Sequence, residues 1–300
     1  MGLNDRRAFI NIDMDTLRDY GVFCNISMNN FDDRTLELTI PRFIELFNAL
    51  DVKATFFVIG EHAIKNKRYI KMLCENGHEV GNQTLTHQID ISKLSTKEKH
   101  REIVEADKLL SDLAGKKIVG FRAPNYLLDR ETLDILRANG YLYDSSVFPT
   151  VLSPLHEVYG WLLIRRFCRI QWWALFKPVS PYYWRNGLLE IPVSATPLTR
   201  LPFIGTYMQV LGWPYFNVTF KEFLLLGKNI NLELHAYEIL SKVEDDIPAD
   251  FDILPGIGLP LTHRRTYLFE QIKRIKSHYR IMTLEDYAKL SANENFNSNA

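Results

Sequence analysis

The feature that most limits the fold is where the polar residues fall: repeatedly, an apolar run ends in a short cluster of charged or amide side chains, and a helical pattern follows. Residues 8–12 lead into Asp13-Met14-Asp15, residues 78–82 into Gln83-Thr84-Leu85-Thr86-His87, residues 117–121 into Arg122-Ala123-Pro124-Asn125-Tyr126, and 230–234 into His235. Residues 53–60, 141–145, 188–194 and 279–283 read as further strands from their β-branched and aromatic content. Between them, Pro41 is expected to open a helix through Leu50, where a missing N–H costs least. Residues 67–75 form another helix, stopped by Gly77. Ser95-Thr96-Lys97-Glu98 is a capping box, and Ile103, Ala106, Leu109, Leu110 and Leu113 follow at helical spacing up to Gly115. Asp129 caps a helix closed by Gly140, and residues 266–278 form the last one. This alternation predicts an α/β fold with a mostly parallel sheet covered by helices. Polar clusters at strand C-terminal ends favour a barrel with its site at that mouth over an open sheet.

Three hundred residues suffice for one large domain, and no linker divides the chain, so residues 1–290 are taken as one unit. Residues 151–187 interrupt the alternation as an insertion, and the polar tail 291–300 reads as disordered. Lys+Arg and Asp+Glu both total 36, so no global field favours nucleic acid. The three cysteines, Cys24, Cys74 and Cys168, have no metal-binding spacing and suit a reducing compartment. Residues 5–15 leave no room for a signal peptide's apolar core, and no apolar run reaches the roughly 18 to 20 residues that span a bilayer. A cytoplasmic location is expected.

Asp13 and Asp15 sit two apart in an extended segment and share a face, where two carboxylates repel unless a cation joins them. Gln83 and His87 are four apart, a separation at which two side chains on one tight turn can meet a single ion. Arg122, beside the rigid Ala-Pro turn, can keep a carboxylate ionised. His235 ends an apolar strand and is a candidate proton donor. Each motif alone is also common in chains where it is merely structural.

Taken in order, Ile-Asp-Met-Asp, Lys-Ala-Thr-Phe-Phe-Val-Ile-Gly, Gly-His-Glu-Val-Gly-Asn-Gln-Thr-Leu-Thr-His, Gly-Phe-Arg-Ala-Pro, Tyr-Asp-Ser-Ser and Leu-Glu-Leu-His resemble the polysaccharide deacetylase superfamily. The resemblance spans residues 8–290 and implies an irregular, incomplete (β/α) barrel. It implies Asp13 as general base, Asp15 and His87 as metal ligands with position 83 the third, Arg122 orienting Asp13, and His235 as the acid. The turn Pro124-Asn125-Tyr126 would contact substrate, a backbone N–H after Pro124 helping to hold the oxyanion. The implied cofactor is a divalent metal, zinc foremost, with cobalt, manganese or nickel as alternatives. The implied reaction removes an acetyl or formyl group from the nitrogen of an amino sugar.

Gln83 departs from the family's histidine and offers only a neutral amide oxygen, a poor match for zinc. A weaker site, a substitute ligand such as His78, or loss of the metal all follow, and His78 falls where the family has a structural residue. A non-catalytic carbohydrate-binding homologue and an amide hydrolase of small metabolites are the other readings. Residues 159–185 hold Trp161, Trp172, Trp173 and Trp184, with Arg165, Arg166, Arg169, Lys177 and Arg185 and no acid. Residues 161–176 in helical projection suit a membrane interface, or else packing on the barrel or stacking on sugars. A lipid-linked acylated sugar would then be the natural substrate.

Overall fold

A computed structural model describes residues 6–26, 32–151 and 172–298. The strands are β1 (Arg7–Asp13), β2 (Thr55–Val58), β3 (Glu79–Asn82), β4 (Gly120–Phe121), β5 (Tyr143–Asp144), β6 (Tyr182–Tyr183), β7 (Leu189–Glu190), β8 (Ile230–His235) and β9 (Arg280–Ile281). They join in one curled, open sheet of order β6-β7-β5-β4-β3-β2-β1-β8, with β9 on β1. All pairings are parallel except β6 with β7. The expected incomplete barrel is therefore the observed architecture. The helices are α1 (Leu17–Cys24), α2 (Thr35–Leu50), α3 (Gly60–Lys65), α4 (Lys67–Glu75), α5 (Thr96–Ala114), α6 (Arg130–Ala138), α7 (Gly205–Leu226), α8 (Leu261–Lys276) and α9 (Leu284–Ser298), the last of which packs Leu284 and Ala288 beside Phe9 and Phe57.

Strand alternation sorts side chains between two cores. Ile10, Ile12, Phe56 and Val58 face outward into the large core shared with the helices. Phe9, Phe57, Tyr143 and Leu189 form a smaller cluster inside the curl. Gly120 makes room there, because a Cβ at that position would lie 2.1 Å from the Tyr143 hydroxyl. Residues 188–194 do not form one strand as expected. After β7, Pro192 lacks the N–H a ladder requires, and the chain crosses the sheet's gap instead. The Val193 N–H donates to Val147, and the Ser194 N–H to Asn231 of β8 at 3.1 Å.

Two further expectations need correction, and one helix was missed. Helix α2 starts at Thr35, not Pro41, and carries Pro41 in its interior. The buried row Leu36, Ile40, Phe43, Phe47 and Leu50 outweighs the lost hydrogen bond. Helix α7 was not foreseen, because Gly212 and Pro214 interrupt it and Val210, Leu211, Val218 and Leu225 are apolar yet exposed, which erases the helical period. Residues 291–298, read as disordered, continue α9. No described helix is long and apolar enough to cross a membrane. The helix expected over 161–176 lies mostly outside the described residues.

Candidate active site

Strand β1 sets the site's axis. In its register with β8, Asn11 faces Glu233 and Asp13 faces His235, so alternation places Asn11 and Asp13, then Asn231, Glu233 and His235, inside the curl. The end of β4 sends Arg122 between these two rows. The guanidinium is fully buried, donating to Asp13 Oδ1 and Oδ2 at 3.0 and 3.1 Å, to Asn11 at 2.8 Å and to Ser145 at 3.1 Å. It lies 3.5 Å from Glu233 Oε2 and 4.5 Å over the Phe57 ring. Asn11 and Ser145 are in turn fixed by Asn231. Arg122 thus compensates two buried carboxylates, which would otherwise be strongly destabilising.

Asp15, just past β1, meets the loop after β3. His87 Nε2 stands 2.8 Å from Asp15 Oδ1, and Gln83 Nε2 lies 3.4 and 3.5 Å from the two Asp15 oxygens and 3.5 Å from His87 Nε2. The loop is held from beneath by buried Asn82, which donates to the Ile103 carbonyl of α5 and accepts from the Thr84 N–H at 2.7 Å. Glu102 of α5 accepts from both the N–H and the hydroxyl of Thr86. Thr84 and His87 have φ of 68° and 55°. For a β-branched threonine this is a strained conformation of the kind found at functional loops.

His235 is framed by two acids. Its Nδ1 lies 3.3 Å from Glu238 Oε1 and its Nε2 3.4 Å from Glu233 Oε1. Tyr126 donates its hydroxyl to Glu233 and leans on Phe148, with Asn125 and Tyr126 both at positive φ. The Asn125 amide is tied to the Ile89 carbonyl, and Pro124 is buried at the start of the turn. Asp13, Asp15, Gln83, His87, Arg122, Pro124, Asn125, Tyr126 and His235 therefore lie at one end of the barrel, whereas His78, the suggested substitute ligand, precedes β3 at the other end and accepts from the Ala54 N–H. The sequence reading missed Glu233 and Glu238. Glu233 was visible as a polar residue at the alternate position of an apolar strand, Asn231-Leu-Glu233-Leu-His235, whereas Glu238 had no such signal.

The electrostatics divide the site. Burial lifts the Asp13 carboxyl; Arg122 opposes this but is outweighed with the help of Glu233 and Asp15, leaving it at about 7. Burial would raise Asp15 too, yet the charge and hydrogen bond of His87 hold it at about 2. Burial would lower His87, and Asp15 overrides it to raise it. Burial would also lower His235, and Glu238, Glu233 and Asp13 bring it up to about 10. An acceptor that loses its proton near neutrality thus stands beside a protonated donor, the arrangement acid and base catalysis requires.

Two groups can serve a cation. Ligand atoms of Asp13, Glu233 and His235 lie within 4.8 Å of one another, close enough for a metal ion, although Arg122 already supplies positive charge there. Asp15, His87 and Gln83 are the second group. The Gln83 Oε1 atom is buried without a hydrogen-bond partner, so that oxygen is uncommitted, and a half-turn of the amide would bring it beside Asp15 and His87 to complete a donor set that fits a divalent ion. The amide nitrogen, not that oxygen, faces Asp15 and His87.

The sequence profile described as Polysaccharide deacetylase matches residues 25–143. The peptidoglycan deacetylase of Helicobacter pylori is 29% identical over 124 residues, 41% of this chain and 42% of that protein. Matches to the first curated relatives span between 22% and 42% of their lengths. A Mycobacterium smegmatis structure named after the same family superposes with a TM-score of 0.66 at 15% identity, covering 98% of this chain and 92% of that one. A carbohydrate esterase family 4 pseudoenzyme from Bacillus anthracis superposes at 0.51 with 14% identity, covering 96% and 66%. At these identities the two superpositions establish the fold.

Proposed function

Since this chain belongs to the polysaccharide deacetylase family, we propose that it hydrolyses the N-acyl group, acetyl or formyl, of an acylated amino sugar. The observation that carries the reading is the meeting of Asp13 and His235 at paired strand ends, their ligand atoms within 4.8 Å, with Arg122 gripping Asp13. Asp13 takes a proton from the attacking water, and Arg122 holds its carboxylate in line. His235, protonated by its surroundings, delivers a proton to the departing nitrogen, which leaves as an amine. Burial of the pair keeps bulk water from competing for those protons. A divalent ion held by Asp15, His87 and the Gln83 amide oxygen would polarise the acyl carbonyl.

A lipid-linked sugar and a site of action on the cytoplasmic face of the membrane are part of this proposal. Their support is the composition of residues 159–185, rich in tryptophan and arginine and free of acids. An amide hydrolase of a small metabolite would use the same acid and base but leave that segment without a role. A homologue that binds carbohydrate without turnover is favoured by one observation, the Gln83 N–H group turned toward the closed Asp15–His87 pair. The test is release of acetate or formate from acylated amino-sugar oligomers by the purified chain and by Asp13→Asn. Release abolished in the variant supports hydrolysis. Tight oligomer binding without release supports the second reading, and neither outcome with any acylated amino sugar would end both.

A further inference from the structure

His235 is held on one side by a residue that does not itself reach the reacting groups. Glu238 is fully buried, three residues beyond His235, in the short turn Ala236–Ile239 that follows β8. Its Oε1 accepts from the Thr206 hydroxyl at 2.9 Å and faces His235 Nδ1 at 3.3 Å. The Thr206 hydroxyl is 3.4 Å from the same Nδ1 and 3.1 Å from the Tyr237 hydroxyl. Tyr237 lies nearly parallel to the imidazole at 5.7 Å, 28° between planes. The other carboxylate oxygen, Oε2, has no hydrogen-bond partner and lies against the first residue of α7, where a Cβ on Gly205 would fall 1.9 Å from it. A buried carboxylate is costly to seat, and this one occupies a space left only by a glycine.

We infer that Glu238 is the positioning residue for His235, accepting the Nδ1 proton on the side away from the reacting groups so that the Nε2 proton of the imidazolium, the one to be delivered, faces Glu233 and Asp13. The inference rests on the reading of His235 as the proton donor, yet the geometry it claims exists without substrate. A carboxylate on one ring nitrogen sets the ring's orientation and, once Nε2 has given up its proton, keeps the remaining one on Nδ1. Gly205 and Thr206 are parts of the same device: one gives the carboxylate space and the other fixes its rotation. A side chain at position 205 could enter only by displacing the Glu238 carboxylate or the Leu234 methyl 2.6 Å away.

The test uses the full chain with 15N-labelled histidine. In Glu238→Gln, the His235 Nδ1 resonance is expected to move away from its hydrogen-bonded position in substrate-free protein. Turnover is expected to fall by about 10- to 100-fold at little change in KM. Thr206→Val, which replaces the hydroxyl with a methyl, should produce the same spectral change in smaller degree and serves if the first variant does not fold. Unchanged His235 resonances in both variants would overturn the inference. Because the spectra need no substrate, an absence of deacylation would count against the proposed reaction and leave this assignment standing.

Discussion

The two halves of the site, centred on aspartates two residues apart at the end of β1 and just past it, solve the same problem in opposite ways. Asp13 is neutralised by the protein itself: Arg122 reaches it through a cage of Asn11, Ser145 and Asn231 and grips it with bonds of 3.0 and 3.1 Å. Asp15 has no such guanidinium among the described residues and leans on His87 and on a Gln83 amide 3.4 to 3.5 Å away. One half is complete as folded. The other, proposed above to take a cation, has its Asp15 carboxylate closed off by a histidine and an amide N–H.

The largest effect should come from removing the cation of the complete half. Arg122→Gln strands buried Asp13 and Glu233 and is expected to cost about 3 to 5 kcal/mol of stability, read from the denaturant midpoint. A loss no larger than that of a surface arginine would mean the guanidinium is not the counter-ion. Asp13→Asn leaves Arg122 paired with Glu233 and should lower acyl release by about 100- to 10,000-fold. Residual activity near that of the native chain would remove Asp13 as the base. Tyr126→Phe takes away the hydroxyl bonded to Glu233 and should destabilise by about 1 to 3 kcal/mol, measured in the same unfolding experiment.

The subtlest contrast is in titration. Asp13 is raised to about 7, so its contribution to stability is present below about 3.8 and lost as pH rises through 7. Asp15 is lowered to about 2, so its contribution is present above 3.8 and lost as pH falls through 2. Carboxyl 13C spectra should therefore show two aspartates titrating on opposite sides of the ordinary range. Both titrating together near 4 would erase the distinction between the halves.

The barrel was legible because its chemistry is written at strand ends. Asp13, Arg122 and His235 each follow an apolar run, and parallel pairing brings such ends together without further information. The loop holding Gln83 and His87 was legible as a motif, but its support was not: Asn82 and Glu102 act through contacts with α5 that only the fold creates. Glu238 escaped notice because its meaning depends on a glycine 33 positions earlier. Helix α7 escaped because a helix with apolar residues all round carries no periodic signal.

Zinc titration of the native chain, Gln83→His and Asp15→Asn by calorimetry tests the contrast between the two halves most directly. If the half-site at Asp15 is the one left open at position 83, histidine there should tighten binding by about tenfold or more, in line with imidazole's preference for zinc over an amide. Asp15→Asn should weaken binding in either background. Equal affinity with glutamine and histidine, or binding indifferent to Asp15, would show that Asp15 and residue 83 do not hold the ion and would contradict the division drawn here.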